Sequence, residues 1–228
     1  MTIIADSLQA IQANIREACL AANRADTVKL LAVSKAQTAD KLRTAYLAGQ
    51  RAFGENYVQE AIGKQSELID LAIEWHFIGP IQSNKTTLIA QHFDWVHSVD
   101  RLKIATRLNE ARSTSLESLN ICIQINSSDE DSKSGVDMGS LAILAKEISA
   151  MQHLKLRGLM AIPAPTKNLA KQRAQFKIVA DAYASLKKQG VELDTLSIGM
   201  SDDFVAAIHE GATIVRIGSA IFGGRAVK

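Results

Sequence analysis

Cysteine is nearly absent from this 228-residue chain: Cys19 and Cys122 stand apart, each among apolar or helical neighbours. Two such cysteines make no disulfide framework and suggest no zinc cluster, so a reducing cytoplasm is the simplest setting. Proline is scarce, at 3 residues, and no Pro/Gly/Ser-rich linker interrupts the sequence. Residues 1–228 therefore read as a single domain. Neither sign of charge dominates. Against 26 Lys and Arg stand 24 Asp and Glu, and the resulting +2 argues for neither a nucleic-acid partner nor an anionic membrane surface. No apolar run approaches the ~18 residues of a spanning helix, and residues 1–6 lack the basic-then-apolar pattern of a signal peptide. No HxxxH, CxxC or clustered carboxylate set has metal-ligand spacing, so no metal site is expected. What is present is an ordinary globular composition, 47% hydrophobic and 22% charged.

The apolar periodicity switches repeatedly between strand-like and helix-like. A leading helix over 5–23 carries Leu8, Ile11, Ile15, Ala18 and Cys19 on one face. Strand–helix pairs follow at 28–34 with 38–48, 51–54 with 56–70, 74–79 with 83–91, and 95–98 with 100–114. Four more lie at 120–126 with 137–151, 154–161 with 168–188, 195–198 with 201–210, and 213–217 with a short helical turn after Gly218. Gly49 and Gly190 fall where two helices should end. Eight strands in βα alternation imply a parallel sheet with right-handed crossovers. The architecture expected is α/β, a single (β/α)₈ TIM barrel with an extra N-terminal helix; an open doubly wound sheet is the competitor.

Lys35 follows the apolar run Leu30-Leu31-Ala32-Val33-Ser34, at the carboxyl end of the first strand, where α/β folds build their sites. A partly desolvated ammonium there favours the neutral amine, which adds to carbonyls to form a Schiff base. A lysine after a strand is ordinarily a solvated loop residue, and the far end of the chain is what distinguishes this one. In Ser197-Ile198-Gly199-Met200-Ser201-Asp202-Asp203 a strand turns through glycine into a helix, with Ser201 as its expected N-cap. In Val215-Arg216-Ile217-Gly218-Ser219, Gly218 and Ser219 open a second short helix. As the loops after barrel strands 7 and 8, these two turns suit a phosphate. Arg216 interrupts an apolar strand, so it points either to solvent or inward at a polar acceptor such as a heterocycle nitrogen.

Other strand ends carry weaker signals. Asn56 and Ser83 are placed equally well to cap helices or to meet a ligand, and His76, between Trp75 and Phe77, reads as a satisfied core histidine rather than a general base. Met160 should pack at the top of strand 6. The polar stretch 126–135 reads as a loop above the barrel mouth, able to serve as a lid or to offer Lys133 to a ligand.

Taken together, Ala32-Val33-Ser34-Lys35, Phe53-Gly54-Glu55-Asn56-Tyr57-Val58-Gln59-Glu60, Trp75-His76-Phe77-Ile78-Gly79, Asp131-Ser132-Lys133-Ser134-Gly135, 196–203 and 216–223 resemble the pyridoxal phosphate homeostasis protein family across essentially the whole chain. That family is also called the proline synthase co-transcribed homologue, or alanine-racemase-like N-terminal-domain, family. The resemblance implies the fold-type III barrel, with pyridoxal 5'-phosphate held on Lys35 as a Schiff base. Ser201, Gly218 and Ser219 would hold the phosphate with Met200 in the same loop, Arg216 would face the pyridine nitrogen, and Asn56 would lie beside the ring. It further implies a cytoplasmic monomer that buffers the cofactor or delivers it to apo-enzymes, affecting amino-acid and keto-acid balance, rather than an enzyme. A charged arginine at the pyridine nitrogen opposes protonation there and weakens the ring as an electron sink. Racemases and decarboxylases sharing this barrel add a β-rich domain and a residue opposite the lysine, for which the five residues after Gly223 leave no room. A small amino-acid racemase, with Tyr57 or His76 as second base, is the alternative, and an aldolase-like Schiff-base enzyme binding its substrate's own phosphate is a third.

Overall fold

Eight short strands, most of whose residues are buried, close on themselves. The structure, a computed structural model, describes residues 2–127 and 134–224. After α1 (Ile3–Ala21), strands and helices alternate as β1 (Lys29–Val33), α2 (Ala39–Leu47), β2 (Ala52–Glu55), α3 (Val58–Glu67), β3 (Glu74–Phe77), α4 (Thr86–His92), β4 (Trp95–Val99) and α5 (Leu102–Ala111). The second half continues as β5 (Leu119–Gln124), α6 (Met138–Ser149), β6 (Leu154–Met160), α7 (Leu169–Lys188), β7 (Thr195–Ser197), α8 (Phe204–His209), β8 (Ile214–Ile217) and α9 (Ser219–Phe222). Every strand pairs in parallel with the next, and β1 pairs with β8 from Lys29↔Ile214 to Ala32↔Ile217. The closed (β/α)₈ barrel, rather than the open sheet, is the architecture. The helix ends at Gly49 and Gly190 lie where the sequence placed them, with φ of +101° and +87°.

The N-terminal helix completes the outer ring. α9 has four residues, too few to cover the seam between β8 and β1. α1 packs against α8, α9 and α2, and its buried stripe Leu8, Ile11, Ile15, Ala18 and Cys19 fills that gap. Thr2 caps it, its hydroxyl accepting from Ala5 N–H.

Side-chain alternation separates two kinds of interior. Outward-facing strand residues such as Leu30, Ala32, Phe53, Val96, Ile121, Val215 and Ile217 join the helices in one large apolar cluster. Inside the barrel the apolar packing is sparse, with Leu31, Ala52 and Ile214 in one small group and Trp95, Cys122 and Met160 in another. Polar side chains, among them His76, His97, Ser197 and Arg216, fill the rest, where barrels usually stack branched aliphatics.

Candidate functional site

Lys35 extends the inward parity of Leu31 and Val33 past the end of β1, and a network of charges fixes the turn that carries it. Ser34 Oγ donates to Glu55 Oε1 at 2.6 Å, and Lys64 Nζ donates to Ser34 O and to Glu55 Oε1, both at 2.7 Å. Lys64 also reaches Glu60 Oε1 at 2.6 Å, and that oxygen accepts from Ala36 N–H at 2.6 Å. Ala36 has φ +59°, a left-handed conformation costly for a residue with a Cβ, so Glu60 holds strained backbone next to Lys35. Glu55 and Lys64 are both buried. Burial pushes the Glu55 carboxyl up, against the pull of Lys64 and Ser34. Sequence reading missed this network; an acid inside a buried strand and the i,i+4 pair Glu60/Lys64 were its visible signals.

Asn56 is placed by a glycine across the wall. A Cβ on Gly79 would lie 2.3 Å from Asn56 O, so only glycine lets the segment just after β3 press against this backbone. Asn56 does not cap α3, whose N-cap is Tyr57. Its Oδ1 is buried without a hydrogen-bond partner, a state a native fold tolerates mainly where something else will fill it.

The turns after β7 and β8 require one correction. Ser201 is not a helix N-cap: residues 201–203 form a turn, and α8 starts at Phe204 with Asp203 in the cap position. Asp203 Oδ1 accepts the Met200 N–H at 2.6 Å, tightening the turn and delaying the helix. Burial raises the Asp203 carboxyl. Gly199 makes the approach possible, with φ +95° and only 2.6 Å from an added Cβ to Ala207 Cβ. Ser201 Oγ consequently faces Ser219 Oγ at 3.4 Å across the two turns. Gly218 does stand at the N-cap of α9, packed against the Val33 backbone.

Arg216 points inward, opposite to Val215 and Ile217. Its Nη1 donates to Ser197 O and Oγ at 2.5 and 2.9 Å, and Nη2 donates to Ala161 O at 2.9 Å. Burial lowers its pKa to about 10, which leaves it charged at neutral pH.

One cavity of about 250 Å³ at the C-terminal mouth collects these groups. Lys35, Asn56, Met200, Ser201, Arg216, Gly218 and Ser219 all line it, with Val33, Ile78 and Ile162 as apolar wall. An amine, a guanidinium, two hydroxyls and an orphaned amide oxygen around an apolar slot suit a flat, polar-rimmed anion. Tyr57 is 61% exposed and does not line this cavity, and His76 lies below it with both ring nitrogens engaged. Most of the 126–135 stretch, Lys133 included, lies outside the described residues.

A closed parallel barrel with a lysine beyond its first strand and paired hydroxyl turns after its last two defines a lysine-bearing (β/α)₈ barrel protein. The chain belongs to the family described as alanine racemase, N-terminal domain, whose model matches residues 7–226, and to the pyridoxal phosphate homeostasis protein family. The relative of that name from Pseudomonas aeruginosa is 56% identical over 226 residues, spanning 99% of this chain and 97% of its own. Its counterpart from Escherichia coli K12 is 50% identical over 229 residues, spanning 99% of this chain and 98% of its own. PipY of Synechococcus elongatus, solved with PLP bound, superposes with a TM-score of 0.86 at 38% identity, covering 96% of this chain and 100% of that one.

Proposed function

We propose that this chain binds pyridoxal 5'-phosphate and serves its homeostasis inside the cell, holding the cofactor and releasing it to apo-enzymes rather than turning over a substrate. The observation that carries this reading is the single cavity in which all seven expected residues meet around the unpartnered Asn56 Oδ1. The names of the relatives and the PLP bound to PipY support it.

When bound, pyridoxal phosphate supplies an aldehyde for a Schiff base and a ring that can take up an electron pair. Lys35 would hold the aldehyde end, Asn56 would lie beside the ring, and Arg216 would face the ring nitrogen. Ser201, Ser219 and Gly218 would bind the phosphate, with Met200 shaping the turn. Arg216 has only donors to offer, and it stays charged, so it can hydrogen-bond an unprotonated ring nitrogen but gives it no proton. This favours retention over carbanion chemistry. The two residues weighed as a second base stand elsewhere, Tyr57 exposed and His76 engaged below the cavity. We place the protein in the cytoplasm as a monomer of one domain.

Titration of the purified chain with pyridoxal phosphate tests the reading. An absorbance band near the visible edge is expected, and Lys35→Ala should abolish it. Mixing the loaded protein with an apo-enzyme should restore activity faster than cofactor dissociates spontaneously. Racemisation of free amino acids above the Lys35→Ala background would overturn the non-catalytic part.

A further inference from the structure

Arg216 is the upper end of a continuous run of hydrogen bonds down the barrel axis. Its Nη1 donates to Ser197 Oγ at 2.9 Å, and Ser197 Oγ lies 2.8 Å from His97 Nδ1. His97 Nε2 lies 2.8 Å from His76 Nδ1, and His76 Nε2 lies 2.5 Å from Glu74 Oε1, which also accepts from Lys29 Nζ at 2.5 Å. The path passes from β8 and β7 across to β4 and β3. Its four upper members are buried, whereas the Glu74 side chain, at the opposite end of the barrel from the cavity, is 36% exposed.

The two ends dictate every proton between them. Burial disfavours a charged Glu74, but hydrogen bonds from His76 and Lys29 outweigh it and hold the carboxyl at about 2. An ionised carboxylate only accepts, so His76 carries its proton on Nε2 and its Nδ1 accepts. His97 must then donate from Nε2 and accept at Nδ1, which commits the Ser197 hydroxyl proton to His97. The Ser197 lone pairs are left for Arg216, which can only donate. The alternative tautomer at either histidine sets two donors or two acceptors face to face. Burial keeps both rings neutral, lowering His76 to about 4 and His97 well below its usual value.

The surroundings do not offer another source of this order. Trp95 stacks on His76 at 5.3 Å, and Lys29 Nζ and Arg157 Cζ lie over the same indole, 5.7 and 4.8 Å from its ring centre. Cys122 is buried and its thiol pushed up to about 12, so it stays neutral; Arg216 and Arg157 pull against that shift and Asp194 adds to it. Asp203, in the turn above, is the acid whose charge bears on Arg216.

We propose that Glu74, His76, His97 and Ser197 are positioning residues: they fix the orientation in which the Arg216 guanidinium meets the ring nitrogen of a bound heterocycle. The state of a carboxylate at the opposite opening of the barrel is thereby coupled to the ligand cavity. The ligand half of this inference rests on the reading that pyridoxal phosphate occupies that cavity; the proton arrangement does not.

The test uses the full chain with ¹⁵N-labelled histidine, first without ligand. Both His76 and His97 should give neutral Nε2–H resonances from pH 5.5 to 8. Glu74→Gln keeps the shape but can both donate and accept, so it should yield mixed or reversed tautomers at both rings. Pyridoxal phosphate is then titrated into each form. Glu74→Gln should weaken binding several-fold and shift the absorbance maximum or its pH dependence. Ser197→Ala should do the same while leaving His76 in the Nε2–H form. An Nδ1–H or protonated ring in the wild-type chain at pH 7 overturns the proton arrangement. Wild-type affinity and spectrum in both variants would reduce the run to structural filling and overturn the proposal. Correct tautomers without cofactor uptake by the wild type would overturn the functional reading, and with it the ligand half alone.

Discussion

Lys64 Nζ sits 2.7 Å from Glu55 Oε1 inside the wall behind Lys35, a buried ion pair joined to the backbone of the residue that precedes the lysine. Such a pair is costly to assemble and more costly to break, because the surviving partner keeps its desolvation penalty. Lys64→Met should therefore destabilise the fold by about 3–5 kcal/mol in urea unfolding. The double variant Glu55→Gln/Lys64→Met should recover much of that loss. Equal losses in single and double variants would show that the pair is not coupled.

The buried histidines give the chain an acid limit. His76, near 4, and His97, also depressed, stay neutral in the fold while the unfolded chain binds protons with ordinary histidine affinity. A depressed value stabilises above the unfolded pKa and loses that contribution as pH falls. Stability should accordingly decline from about pH 6.5 towards 4, by up to about 1.4 kcal/mol per pH unit for each ring. Glu74, depressed to about 2, adds a second decline below about pH 4.5. Urea midpoints measured across this range check the sign; a flat profile from 6.5 to 5 would contradict the neutral assignment.

Gly79→Ala probes Asn56 without altering any lining residue of the cavity. The added Cβ would fall 2.3 Å from Asn56 O, so the turn after β3 and the backbone at Asn56 must part. A loss of about 1–3 kcal/mol in stability is expected from overpacking. Pyridoxal phosphate affinity should drop at least several-fold by absorbance titration, more than for a similarly destabilised variant in the outer shell.

Lys35→Ala should separate binding from folding. Lys35 is half-buried at the cavity and lies outside the apolar cluster. Its removal should cost less stability than Lys64→Met, while the absorbance band disappears. A thermal unfolding scan beside the titration decides whether the two effects come apart.

The parts of the molecule that obey local periodicity were legible in the sequence. Strands buried on both faces read as short apolar runs, and the helices between them carried their own stripes and caps, so the eight βα units pointed to a barrel. The direction of Arg216 stayed open between solvent and an inward acceptor until the closed wall placed it inside. The cavity residues were legible mainly as matched motif blocks. Two things were not. Ser201 looked like a cap because small hydroxyl residues usually are, yet the Asp203 carboxylate took the Met200 amide and moved the helix start to Phe204. The bond between His97 and Ser197 spans 100 positions and crosses the barrel, and no local pattern on β4 announces a partner on β7.

The large apolar cluster lies outside the strand wall, and polar side chains take most of the axis, with two small apolar groups beside them. Robustness and chemistry are therefore housed in separate compartments of the same small chain. Substitutions that toughen the shell against heat can accumulate without touching the column beneath the cavity. Changes along that column can retune ligand affinity at little cost to the shell. A barrel divided in this way can drift in one property while selection holds the other still.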